Sequence, residues 1–144
     1  MTAKEFLMRY RTADEKVKML KDQIARAEDS AQGAGQGDGQ PHGTGTSDKV
    51  GKAAAKAADL RTALEAWIEE QERIKLEIIA VLGAIDKREL FEVLQLRYIA
   101  DRPADEWHNI ACVLDRSIRQ VQRLHGEALM IVEGLINEQI DNIQ

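Results

Sequence analysis

Cysteine is nearly missing from this chain. Cys112 is the only one in 144 residues, which excludes an internal disulfide and any zinc site built from cysteine pairs, and makes a reducing compartment, the cytoplasm, the expectation. Aromatic residues are almost as scarce. Phe6, Tyr10, Trp67, Phe91, Tyr98 and Trp107 amount to 4% of the sequence, too few for an aromatic-lined substrate cavity. Only two prolines, Pro41 and Pro103, interrupt the chain, which leaves long stretches free to be helical. Long hydrophobic runs are absent as well: the longest, Ile78 to Ile85, is far short of the roughly 20 residues that span a bilayer, and no charged-then-apolar leader is seen. A soluble protein without a membrane partner is expected. Positive charge is in the minority, 20 Lys and Arg against 25 Asp and Glu for a net charge of -5. That argues against binding nucleic acid by overall basicity and leaves a local basic face open.

What is present is helical periodicity, divided by one glycine-rich stretch. Residues 31–47 hold six of the ten glycines and no aliphatic side chain larger than alanine, so they bury too little to offset their ordering entropy and read as a flexible linker. A coil of that length spans about 23 Å, enough for the flanking segments to fold back on each other. Ahead of it, residues 1–30 form an N-terminal helix. Thr2 and Glu5 make a capping-box pair, and Phe6, Tyr10, Ala13, Val17, Leu20, Ile24 and Ala27 recur at spacings of four and three. Behind it, residues 48–85 form a long second helix capped by Thr46 or Ser47, with Ala53, Ala57, Leu60, Leu64, Trp67, Gln71, Ile74, Ile78, Val81 and Ile85 on the same kind of narrow stripe. Two such stripes pair as a coiled-coil hairpin. The hairpin either does no more than pack or offers a surface for dimerisation or a partner helix. Gly83 ends the second helix, and Asp86 with Glu89 offers a new N-terminal cap.

Residues 86–144 carry the functional signal. Three shorter helices are expected: Lys87 to Ala100, with Leu90, Val93, Leu94 and Tyr98 inward, stopped by Asp101-Arg102-Pro103; about Asp105 to Leu114, with Trp107, Ile110, Ala111 and Leu114 inward; and a helix from Ser117, whose capping box closes on Gln120. On the third helix Val121, Leu124, Ala128 and Leu129 share one face, and Arg119, Gln120, Gln122 and Arg123 the other. Arginine pairs with guanine and glutamine with adenine through two hydrogen bonds each, and Arg116, Arg119, Arg123 and His125 add positive charge with no acid between them. The spacing suits a helix-turn-helix: Ala111 where two helices cross, a turn at Asp115, and branched Val121 six residues on. Asp115 stands where glycine is usual and tolerates left-handed dihedrals at some cost. A merely solvated helix surface is the competing reading of the same charges.

The run LQLRYIADRPADEWHNIACVLDRSIRQVQRLHGEAL, Leu94 to Leu129, resembles region four of bacterial primary sigma factors in its LxLRY helix, its turn and its S-x-x-x-V recognition helix. It is more closely similar to phage late-gene transcription regulators of the RinA and ArpU type, which join a helical N-terminal half to a sigma-like C-terminal segment. The resemblance implies a phage or prophage regulator reading promoter or operator DNA, with Ile118, Arg119 and Gln122 at the bases, Arg123 near the backbone, and RNA polymerase as a partner. The candidate DNA-binding residues are therefore Arg116, Ser117, Ile118, Arg119, Gln120, Gln122 and Arg123. A phage DNA-packaging protein like a small terminase subunit, or a helical assembly factor, is the alternative, since such proteins also couple DNA-reading helices to oligomerising ones. The apolar tail Ile131, Val132, Leu135, Ile136, Ile140 and Ile143 must pack on the hairpin or on another copy, so a homodimer or higher oligomer is expected.

Enzyme chemistry is not expected. His108 and Cys112 stand four apart on one helix, but two ligands do not make a metal site, and Cys112 reads as a small core residue. No glycine-rich phosphate loop occurs, because the linker glycines are not followed by Lys-Ser or Lys-Thr. Neither a cofactor nor a small-molecule substrate is called for. The expected fold is thus all-α, a long helical hairpin followed by a sigma-region-four-like helix-turn-helix with an extended C-terminal helix.

Overall fold

The computed structural model describes residues 1–35, 45–100 and 106–143, and among them the chain is all-helical, without a strand. The α-helices are α1 (Ala3–Gly35), α2 (Gly45–Leu82), α3 (Arg88–Leu94), α4 (Trp107–Leu114) and α5 (Ile118–Ile143), and a π-helical turn, Gln95–Ile99, continues α3. The chain divides into two compact units: Ala13–Gln71, and Met1–Thr12 with Glu72–Gln144.

The unit Ala13–Gln71 is built from antiparallel stretches of α1 and α2. Asp14 meets Gln71, Lys16 lies over the Trp67 ring at 5.7 Å, and Glu28 pairs with Arg61, so numbers rise along one helix as they fall along the other. Val17, Leu20, Ile24 and Ala27 are buried on α1, and Ala57 on α2, as the four-three spacing requires. Gln71 replaces an apolar residue in the α2 stripe and is only 9% exposed. Its amide is satisfied by donating to Asp14 Oδ1 at 3.0 Å, while Lys18 Nζ reaches Asp14 Oδ2 at 2.8 Å. The hydrogen bond from Lys18 is the main cause that holds the Asp14 carboxyl below its ordinary value, against the opposing effect of burial.

In the other unit α1 starts at the expected capping box: Glu5 N–H donates to Thr2 Oγ1 at 3.2 Å and Thr2 N–H to Glu5 Oε2 at 2.9 Å. Phe6, Leu7 and Tyr10 of α1 and Ile74, Ile78, Val81 and Leu82 of α2 are buried, and Arg9 pairs with Glu77 at 2.9 Å. Gly83 closes α2, its N–H donating to Ile79 O at 2.8 Å. A Cβ there would sit 3.2 Å from that same carbonyl oxygen, a close contact that glycine avoids. Beyond it, Val93, Ile110, Ala111 and Val121 form a buried cluster, surrounded by the partly buried Leu96, Trp107, Leu114 and Leu124. Through this cluster α5 packs on both α3 and α4.

Several boundaries differ from those read in the sequence. α1 continues to Gly35 and α2 begins at Gly45, so helix enters both ends of the 31–47 stretch, and Thr46 and Ser47 lie within α2 instead of capping it. Helix propagation adds one hydrogen bond per residue without requiring burial, and a composition argument about burial does not register it. The centre of that stretch, 36–44 with His42, and the Asp101-Arg102-Pro103 stop lie outside the described residues. Lys87, not Asp86, is the N-cap of α3, and no side chain caps it. The single helix expected from Lys87 to Ala100 is α3 followed by the π turn, in which Ala100 N–H donates to Gln95 O at 2.8 Å. The extra residue in that turn accompanies burial of both Tyr98 and Ile99, consecutive positions that an α-helix separates by about 100°.

Candidate nucleic-acid interface

The turn between α4 and α5 sets the site. α4 buries Ile110 and Ala111 and ends at Asp115, which adopts φ 54° and ψ 50° and is the only non-glycine residue with positive φ among those described. The left-handed residue lets Arg116 N–H reach back to Ala111 O at 3.0 Å, the six-to-one bond that closes a helix end. α5 then starts at once. Gln120 N–H donates to Ser117 Oγ at 3.1 Å and Ser117 N–H to Gln120 Oε1 at 3.0 Å, the reciprocal cap read from the sequence.

Val121 anchors the first turns of α5 in the cluster with no exposed surface, and Ala128, Val132 and Ile136 continue its buried stripe. That orientation turns Arg119, Gln122 and Arg123 to solvent on the opposite side. Ser117, Arg119, Gln120 and Arg123 line an open groove of about 530 Å³ at the start of the helix. Among the described residues neither Arg119 nor Arg123 forms an ion pair. Ile118 is exposed beside them. Arg116, by contrast, is paired with Glu89 of α3, so its charge is largely compensated, and the Gln120 amide oxygen is engaged in the cap. The candidate residues are thus brought to one end of α5, but Arg119, Gln122 and Arg123 are the ones whose polar ends remain available.

His125 does not belong to the basic face. It is half-buried, its Nε2 lies 2.7 Å from the Tyr98 hydroxyl, and its ring stacks on Tyr98 at 5.7 Å and meets Trp107 edge-on at 4.8 Å. Burial first, then the nearby charges of Arg97 and Lys4, lower its pKa to about 4, so the ring is neutral at pH 7. Burial also raises the Tyr98 hydroxyl, and the pair is a neutral hydrogen bond. The Arg97 guanidinium covers the Trp107 ring at 3.9 Å, a cation–π contact that sequence spacing did not suggest. A signal for His125 was present: it stands four residues after Val121 and three before Ala128, on the buried stripe.

Cys112 is exposed, not a core residue. α4 turns Ile110, Ala111 and Leu114 inward, which places Cys112 outside, with its Sγ 3.7 Å from His108 Nε2. No group of three or more His, Cys, Asp or Glu that could hold a metal occurs among the described residues, and no helix there is long and apolar enough to cross a membrane. Comparison with protein-family models, with curated proteins and with solved structures finds no match to this chain.

Proposed function

We propose that this chain is a sequence-specific DNA-binding transcription regulator of phage or prophage origin, and that α4, the Asp115 turn and α5 act as a helix-turn-helix of the sigma-region-four kind. The observation that carries this reading is the orientation of α5: Val121 is fully buried while Arg119, Gln122 and Arg123 project from the opposite face, with no acidic partner among the described residues. Lodged in a major groove, Arg119 and Gln122 have the chemistry to read guanine and adenine, and Arg123 to contact a phosphate.

One such module makes few phosphate contacts and buries roughly 600 to 1,000 Å² on DNA, which gives weak binding at physiological salt. A second copy or RNA polymerase supplies the remaining affinity in this scheme. Met130, Ile131 and Ile140, apolar and exposed further along α5, give such a partner a surface.

Genome-wide mapping of binding sites in the host, followed by competition binding on matched and scrambled duplexes, tests the proposal. Arg119→Ala and Gln122→Ala should each cost on the order of 1 to 3 kcal/mol of specific binding and relax preference at one or two base pairs, while Arg123→Ala weakens binding to every sequence. Unchanged discrimination in both Arg119→Ala and Gln122→Ala removes α5 from base readout. Protection of a packaging site by ring-shaped oligomers, in place of a promoter-proximal site, would make the chain a packaging protein.

A further inference from the structure

The unit Ala13–Gln71 has its own basic surface. Gln23, Arg26, Ala27 and Ser30 of α1 and Ala53 and Lys56 of α2 line an open cleft of about 490 Å³ beside the helix seam. The small side chains Ala27 and Ala53 leave the space, and among the described residues every polar side chain on its walls is one that donates hydrogen bonds: a guanidinium, an ammonium, an amide and a hydroxyl. Elsewhere along the seam a cation on α2 meets an acid on α1, Arg61 with Glu28. In the cleft two cations, Arg26 and Lys56, converge with no acid among the described residues that line it. Among the described residues neither forms an ion pair. The acids nearest to Arg26 in sequence, Asp22 and Asp29, do not line the cleft, and the first acid after Lys56 is Asp59. Two like charges placed on one cleft repel until an anion enters.

α2 extends the charge past the cleft. Lys49, Lys52 and Lys56 recur at spacings of three and four, so they share one exposed flank, and no acid occurs from Lys49 to Ala58. Lys49 to Lys56 covers about 10 Å of helix axis, the rise of about three phosphates of one duplex strand. We infer that this cleft and its lysine flank form a second phosphate site, which takes the phosphodiester backbone of nucleic acid independently of base sequence. The choice of nucleic acid as the source of the phosphate rests on the DNA-binding reading of α5. The cleft itself does not depend on that reading.

The test uses the full chain and fluorescence anisotropy with a labelled duplex over a series of salt concentrations. Arg26→Gln/Lys56→Gln, which removes charge and keeps a polar, unbranched side chain, should flatten the slope of log affinity against log salt by about 2, one phosphate per cation. Between 50 and 200 mM salt the wild type then loses about 12-fold more affinity than the variant, while preference for a matched over a scrambled site is unchanged in both. Helical circular dichroism and melting of the variant should match the wild type, because both side chains are exposed. If the variant retains the wild-type slope, the inference is overturned. It is also overturned if polyglutamate competes as well as unlabelled duplex, since the cleft would then be a site for acidic peptide. Arg119→Ala/Arg123→Ala, measured alongside, keeps the two readings apart. Loss only in that variant removes the cleft and leaves α5 intact, whereas loss only in Arg26→Gln/Lys56→Gln removes the α5 reading and leaves the cleft.

Discussion

Acid should loosen the α4 and α5 region through His125. The ring is half-buried against Tyr98 and Trp107, close to the positive charges of Arg97 and Lys4, and its pKa falls from the ordinary 6.5 to about 4. Between those values the unfolded chain binds a proton that the folded chain refuses. Stability is therefore complete above the unfolded pKa and declines as pH falls toward about 4. A fully buried ring with that displacement would contribute roughly 3 kcal/mol; because the ring is only partly buried, screening reduces this to about 1 to 2 kcal/mol. Asp14, whose carboxyl is held below its ordinary value, contributes stability that is lost only at lower pH, as pH falls through its folded pKa. Urea unfolding of the wild type and His125→Gln, followed by circular dichroism from about pH 7 to pH 4.5, isolates the histidine because every other titrating group is common to both. His125→Gln should be less stable at neutral pH, having lost the ring contacts, and its stability should fall less on acidification by that 1 to 2 kcal/mol. Parallel curves for the two proteins across this window would refute the reasoning.

Three stability predictions follow from the backbone. Ser117→Ala removes the acceptor for Gln120 N–H and should cost about 1 kcal/mol, read as a lower melting temperature. Asp115→Gly relieves a left-handed residue and should stabilise by about 0.5 to 1 kcal/mol in urea titration; a loss would show that the aspartate side chain holds the turn in a way its dihedrals do not reveal. Gly126 and Gly134 lie within α5, and an added Cβ meets nothing within 4 Å at either, so each substitution to alanine should raise stability by about 0.5 to 1 kcal/mol in thermal melts.

Much of the architecture was legible in the order of residues, and for local reasons. The stripe from Phe6 to Ala27 predicted the inner face of α1 because one helix turn returns a side chain to the same side every three or four residues. The Thr2–Glu5 and Ser117–Gln120 caps formed as read, since both partners lie within one turn of the backbone groups they satisfy. Asp115 took the left-handed conformation that its position between α4 and α5 demanded. The burial of Val121, and with it the outward face of Arg119, Gln122 and Arg123, also came from spacing alone.

Tertiary packing decided what sits beside each side chain and in which charge state. Arg116 and Arg119 look equivalent in the sequence, yet α3 brings Glu89 to the first, and among the described residues no acid pairs with the second. His125 reads as positive charge among arginines until Tyr98 and Trp107 enclose it and burial neutralises it. Cys112 is apolar enough for a core, but Ile110 and Ala111 claim the inner side of α4 and leave it in water. Periodicity orients a residue only relative to its own helix. Ion pairing, desolvation and pKa depend on atoms that are distant in sequence, Glu89 from Arg116 and Tyr98 from His125, and these meet only when the helices pack.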